Sequence, residues 1–90
     1  MSWCAQIVAR KKFSKLSPEE QSKIISMATR WDDLKIKVAE LNFITMFPWH
    51  EGYDENKSRL YRLYNEEMIS LADTLGSLMK SLGVWGCPDV

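Results

Sequence analysis

Residues 17–41 read "SPEEQSKIISMATRWDDLKIKVAEL" and combine a helix start with a long apolar repeat. Ser17 and Glu20 have the spacing of a capping box, in which each side chain accepts a hydrogen bond from the other residue's backbone amide. Pro18 suits the first helical position, where no amide donor is needed. Apolar residues then recur at alternating spacings of three and four, which predicts one apolar face on a long helix. These residues are Ile24, Met27, Trp31, Leu34, Val38 and Leu41.

A similar repeat returns in the second half of the chain. Its members are Leu60, Tyr64, Met68, Leu71, Leu75, Leu78 and Leu82. Pro48 ends the first long helix, because the residue before a proline is pushed out of the helical region. Asp54 is suited to cap the second one. The sequence therefore predicts two long helices, at about 18–47 and 54–82, and their short joint indicates an antiparallel hairpin.

Two glycines of the second half have different expected roles. Gly83 is placed to stop the helix, and Val84 can make the hydrophobic contact that often follows such a stop. Gly76 lies inside the predicted helix, where glycine costs about 1 kcal/mol relative to alanine. We expect a close crossing with another helix to explain Gly76.

The remaining apolar surface predicts that the chain oligomerises. Residues 3–13 favour one short N-terminal helix, so the fold class is all-α, with a single helical domain over residues 1–90. That short helix cannot cover wide apolar arcs on two long helices, and exposed patches of such size mark interfaces. We expect oligomerisation to complete a bundle, most simply as a homodimer with four long helices, while a hydrophobic partner from another protein is the alternative. The expected interface residues are Trp31, Leu34, Val38, Phe43, Phe47, Leu71 and Leu75.

Composition and cysteine usage favour a cytoplasmic protein. The chain is 46% hydrophobic with a formal net charge of zero, so it does not bind polyanions by overall charge. No apolar run reaches the roughly 20 residues that a membrane span needs, and the N-terminus lacks the order of a secretory signal. Cys4 and Cys87 form no zinc or disulfide framework, and we expect free thiols.

The sequence does not favour an enzyme, a metal site or a cofactor. His50 beside Glu51 is best interpreted as a surface turn, because general-base chemistry needs positioned partners that the sequence does not indicate. Adjacent acidic residues such as Asp32 and Asp33 point about 100° apart on a helix, so they form no acid–base pair. The chain lacks zinc-ligand spacing and a glycine-rich phosphate loop.

The best candidate contacts with a partner lie around the break between the long helices. Trp49 and Tyr53 follow the proline and fall outside both seams, and Arg59 and Arg62 come soon after them. These residue types dominate binding hot spots. Trp85, near the end of the chain, either joins them or folds back to close the end of the hairpin.

We therefore expect a non-enzymatic interaction module that acts as an inhibitor or adaptor on a protein partner. In general architecture the chain resembles small phage-encoded helical proteins that disable bacterial defences, so a counter-defence role is one form of this hypothesis, by fold analogy alone. The alternative is an oligomer that binds or sequesters a nucleotide, with aromatic rings on the base and arginines on the phosphate. A third hypothesis is weak nucleic-acid binding through basic clusters. These clusters are Arg10, Lys11, Lys12 and Lys15, and Lys57, Arg59 and Arg62.

Overall fold

The computed structural model describes residues 2–46 and 54–85, the side chains of 44–46 excepted. In this part of the chain there are helices and no strands. The helices are α1 (Trp3–Val8), a short 3-10 turn (Phe13–Lys15), α2 (Pro18–Met46) and α3 (Glu55–Ser81). The predicted all-α hairpin with a short N-terminal helix is thus confirmed. The second long helix begins one residue later and ends one residue earlier than expected. Phe47, at the predicted end of the first, lies outside the described residues.

Both long helices begin with the predicted caps. The backbone amide of Glu20 donates to the Ser17 hydroxyl at 3.2 Å, and the amide of Ser17 donates to the Glu20 carboxylate at 3.1 Å. At the start of α3, the Asp54 carboxylate accepts from the amide of Asn56 at 2.8 Å. Each contact satisfies an amide that the helix itself leaves unpaired.

The end of α3 is set by Gly83, as predicted. Its φ angle of 74° lies in the left-handed region, which glycine enters without steric cost. The amide of Val84 donates to the carbonyl of Met79 at 2.9 Å, and the amide of Gly83 donates to the carbonyl of Lys80 at 3.1 Å. Val84 and Met79 are both buried in one apolar cluster, so hydrogen bonds and packing fix the same turn.

The two long helices run antiparallel. Contacts between them show this, because residues further along α2 meet residues nearer the start of α3. Arg30 forms an ion pair with Glu67 at 3.0 Å, while the Lys37 ammonium lies over the ring of Tyr64, nearer the start of α3. The main core lies at the end of the hairpin where α2 begins and α3 ends, and where α1, the 3-10 turn and the C-terminal segment meet. Its buried members are Ile7, Phe13, Ile24, Ala28, Leu75, Met79 and Val84.

Helix α1 is held on α2 by Asp32. The Asp32 carboxylate accepts hydrogen bonds from the backbone amides of Trp3 at 3.0 Å and Cys4 at 3.1 Å. Arg10, which follows α1, donates from its Nε to the carbonyl of Val84 at 3.0 Å. The N-terminal and C-terminal segments are therefore joined at the same end of the hairpin.

The resulting molecule is elongated. Its principal extents are 50 × 19 × 19 Å and its radius of gyration is 16.0 Å, whereas a compact domain of this length has a radius of about 12 Å. Helix α1 has six residues and α2 has 29, so their lengths are roughly 9 and 43 Å at the rise of an α-helix. Helix α1 is therefore long enough to pack on only one end of the hairpin. None of the described helices combines the length and apolarity needed to cross a bilayer.

Candidate binding sites

Three tryptophans line an open pocket of about 480 Å³ at the end of the hairpin that carries α1. All three helices and the C-terminal segment contribute to this tryptophan pocket. Its lining residues are Trp3 and Gln6 from α1, Trp31 and Lys35 from α2, Ala72 and Gly76 from α3, and Trp85. It therefore exists only when α1 and the C-terminal segment are both docked.

The three indole rings support one another by edge-to-face contacts. The ring centroids of Trp3 and Trp31 are 4.9 Å apart with an interplanar angle of 72°. Those of Trp3 and Trp85 are 6.2 Å apart at 73°. Such geometry brings the positive edge of one ring to the negative face of another. Trp85 folds back onto Trp3 and the apolar cluster at this end of the hairpin, while its expected contact with a partner stays a prediction.

Two cations lie over the outer rings of this cluster. The Arg10 guanidinium carbon is 5.3 Å from the centroid of Trp85, and the Lys35 ammonium is 5.4 Å from that of Trp31. Contacts of this kind are attractive because the ring face is electron-rich. The tryptophan pocket is thus apolar in its walls and positive at its rim.

The structure contradicts the expectation that a close helix crossing explains Gly76. A Cβ atom on Gly76 would meet no atom within 4 Å apart from the adjoining backbone of α3, so no neighbouring helix approaches it. The missing side chain instead leaves space in the tryptophan pocket, which Gly76 lines. The glycine therefore lowers the helix propensity of α3 without a packing contact in return.

Beyond α1, four apolar residues of the two long helices are exposed to water, and we call this set of residues the open face. It consists of Ile36, Ala39 and Phe43 on α2 and Ile69 on α3. Ile36 and Phe43 are seven residues apart and so share one side of their helix. Ile69 precedes Gly76 by seven residues, which places it in line with the tryptophan pocket. Ile36, Phe43 and Ile69 are each 59% exposed.

The expected interface residues divide into several groups. Leu34 and Leu75 have no exposed surface in the single chain, so they pack its own core and offer no surface to a second copy. Val38 and Leu71 are half-buried. Trp31 lines the tryptophan pocket, Phe43 is on the open face, and Phe47 lies outside the described residues. Leu34 and Leu75 are thus buried within the single chain, while the other described members keep some exposed surface.

The expected partner-binding residues are brought together only in part. Arg59 and Arg62 share the outer surface of α3 with Leu63 and Glu66, around a shallow depression. Glu55 borders the same two arginines, so acidic side chains offset their charge. Trp49 and Tyr53 lie outside the described residues, as do His50 and Cys87. The arginines therefore do not form a concentrated anion site by themselves.

The described residues also bear on two kinds of chemical site, a metal site and a reactive cysteine. No group of three or more His, Cys, Asp or Glu side chains there is placed to hold a metal ion. Cys4 is a half-buried free thiol, in keeping with its expected state. The tryptophan pocket was not predicted from the sequence, although the glycine inside α3 was a local signal of it.

Comparison with protein-family models, with curated proteins and with solved structures finds no match for this chain. The interpretation of the tryptophan pocket and of the open face therefore rests on their geometry and chemistry.

Proposed function

We propose that the protein is a non-enzymatic helical interaction module that dimerises through its open face. The observation that carries this proposal is the exposure of Ile36, Phe43 and Ile69, each 59%, on the length of the hairpin beyond α1. We infer that these side chains form one apolar surface, which is typical of an interface between protein chains.

A second copy of the chain is the occupant that best fits this surface. The molecule is longer and thinner than a compact domain of its length, with a radius of gyration of 16.0 Å. Two-fold dimers bring the same patch of each copy together and are the commonest oligomers. Burying side chains of this type contributes about 1–2 kcal/mol each when roughly half of their surface is removed from water. Pairing two hairpins also gives the four-helix arrangement in which such helices are stable.

The dimer would act by occupying a target protein, as an inhibitor or adaptor. Arg59 and Arg62 are exposed on α3. Arg62 precedes Ile69 by seven residues and so lies on the same side of the helix, at the border of the open face, while Arg59 is turned further from Ile69. Trp49 and Tyr53 are the aromatic candidates beside them in sequence. This assignment predicts that replacing both aromatic residues with alanine removes target binding and leaves dimerisation intact.

Two substitutions on α3 test the dimer with a matched control. Ile69 and Leu63 are 59% and 60% exposed, but six residues of helix separate them, so they point about 120° apart. We expect Ile69→Glu to convert the dimer to a monomer, because it places a charge in the apolar contact. Leu63→Glu should leave the dimer unchanged. The masses are measured by light scattering after size-exclusion chromatography, and equal behaviour of the two variants would rule out the open face as the interface.

A further inference from the structure

We propose that the tryptophan pocket binds a small planar aromatic ligand that carries an anionic group, the chemistry shared by nucleotides and aromatic carboxylic acids. The pocket borders the open face, since Lys35 also lies beside Ile36 and Ala39, but the proposal does not depend on dimerisation. Four observations carry it: the space beside Gly76, the three indoles, the position of Lys35 and the engagement of Asp32.

The space in the pocket is maintained by a residue that α3 would otherwise disfavour. Glycine inside a helix is less favourable than alanine, and here no neighbouring atom lies within 4 Å of the position where a Cβ would stand. Departures from local preference that have no packing reason are expected where a protein binds something. The volume of about 480 Å³ is within the range of small-molecule sites.

The walls of the pocket select a flat ring. Trp3, Trp31 and Trp85 supply indole surface from three different parts of the chain. Indole faces stack on planar heteroaromatic rings of many kinds, with little dependence on the pattern of substituents. Gln6 also lines the pocket and adds a polar amide to its wall.

The charges around the pocket select an anion over a cation. Lys35 is the charged residue among the described residues that line it, and the Arg10 guanidinium lies just outside, over Trp85. Asp32 and Asp73 each follow a lining residue in sequence, but neither lines the pocket. Asp32 also accepts two backbone hydrogen bonds from α1. A quaternary ammonium ligand, which tryptophan cages often bind, would meet two positive charges here.

Lys35 can serve both the stacked ring and the anionic group. Its ammonium lies 5.4 Å from the centroid of Trp31. A ring that stacks on Trp31 would displace the ammonium from that face, and the long flexible side chain can then turn toward a phosphate or carboxylate. Charge-assisted hydrogen bonds of this type are stronger than neutral ones.

Isothermal titration calorimetry with chosen probes tests the ligand class. The probes are AMP, GMP, 3′,5′-cyclic AMP, indole-3-acetate, adenosine, ribose 5-phosphate and N-acetyltryptophanamide. We expect at least one of the first four to bind with a Kd below about 1 mM. Binding by a nucleotide alone or by indole-3-acetate alone identifies the source. Adenosine should bind roughly tenfold more weakly than AMP if AMP is the ligand, because it lacks the anion.

Three results would overturn the proposal. The first is no binding by any of the four anionic aromatic probes. The second is binding of ribose 5-phosphate as tightly as the best anionic aromatic probe, which would mean that the ring contributes nothing. The third is binding of N-acetyltryptophanamide as tightly as that probe. The pocket would then take an aromatic side chain of a partner protein without using the anion.

Two pairs of variants place the binding in this pocket. Gly76→Leu fills the space and should abolish binding while circular dichroism retains the helical signal, whereas Gly76→Ala adds only one methyl group and should weaken it less. Lys35→Met should weaken binding roughly tenfold, the loss expected for one charge-assisted hydrogen bond. Lys37→Met is the matched control, because Lys37 also lies over a ring, that of Tyr64, but does not line the pocket. Equal loss in Lys35→Met and Lys37→Met would overturn the assignment, even if Gly76→Leu fails to fold.

Discussion

Replacing Gly76 with alanine should raise the free energy of unfolding by about 1 kcal/mol, the difference in helix propensity between these residues. The structure adds no opposing cost, because the new methyl group would meet no atom within 4 Å and Gly76 does not have a positive φ angle. It adds no burial gain either, since the methyl group enters an open pocket. For a domain of this size, 1 kcal/mol corresponds to a rise in melting temperature of about 4–8 °C.

Gly83→Ala is the internal control, because the same chemical change should have the opposite sign there. Gly83 has a φ angle of 74°, and a side chain in that left-handed conformation costs roughly 1–2 kcal/mol. Both variants are measured by urea unfolding at one protein concentration, because oligomerisation makes apparent stability depend on concentration. A destabilising Gly76→Ala change would refute the reasoning, since it would mean that another part of the molecule occupies the space beside α3.

The remaining predictions concern the caps and the core, and urea unfolding checks each of them. Ser17→Ala should cost about 1 kcal/mol, because the Glu20 amide at the start of α2 loses its acceptor. Asp32→Ala should cost about 1–3 kcal/mol, since two amides of α1 lose their acceptor together; a loss below the error of the measurement would mean that α1 is not held by Asp32. Leu75→Ala should cost about 2–5 kcal/mol, because it leaves a cavity in the core. Leu63→Ala should change stability by no more than about 0.5 kcal/mol, because Leu63 is exposed.

Local chemistry made the helix ends predictable from the sequence. The capping box at Ser17, the cap at Asp54 and the stop at Gly83 each depend on residues within a few positions of one another. Their hydrogen bonds form in the structure as their spacing predicts. The alternating spacing of apolar residues likewise predicted two long helices, because the period of the α-helix is fixed.

The choice of partner for each apolar seam could not be predicted in the same way. A seam indicates that a face must be buried, but not whether another part of the same chain buries it. Leu34 and Leu75 were expected at an interface with a second copy, and in the single chain both are completely buried, Leu75 in the cluster that α1 and the C-terminal segment join. The side chains left exposed, such as Ile36 and Ile69, depend on how far α1 reaches, which is a tertiary property.

The tryptophan pocket depends on still longer-range relations. Trp3, Trp31 and Trp85 are far apart in sequence and meet only because Asp32 holds α1 and the turn at Gly83 directs the chain back. Gly76 gave the one local signal, a residue poorly suited to its helix. Its correct explanation, space for a ligand rather than a close helix contact, required the positions of the surrounding atoms.

The most direct measurement is native mass spectrometry of the unmodified protein at high micromolar concentration. If the open face is closed by a second copy of the chain, the main species will have twice the chain mass of 10.5 kDa. A single species at the mass of one chain would contradict the proposed dimer, because Ile36, Phe43 and Ile69 would then remain exposed to water without a second copy.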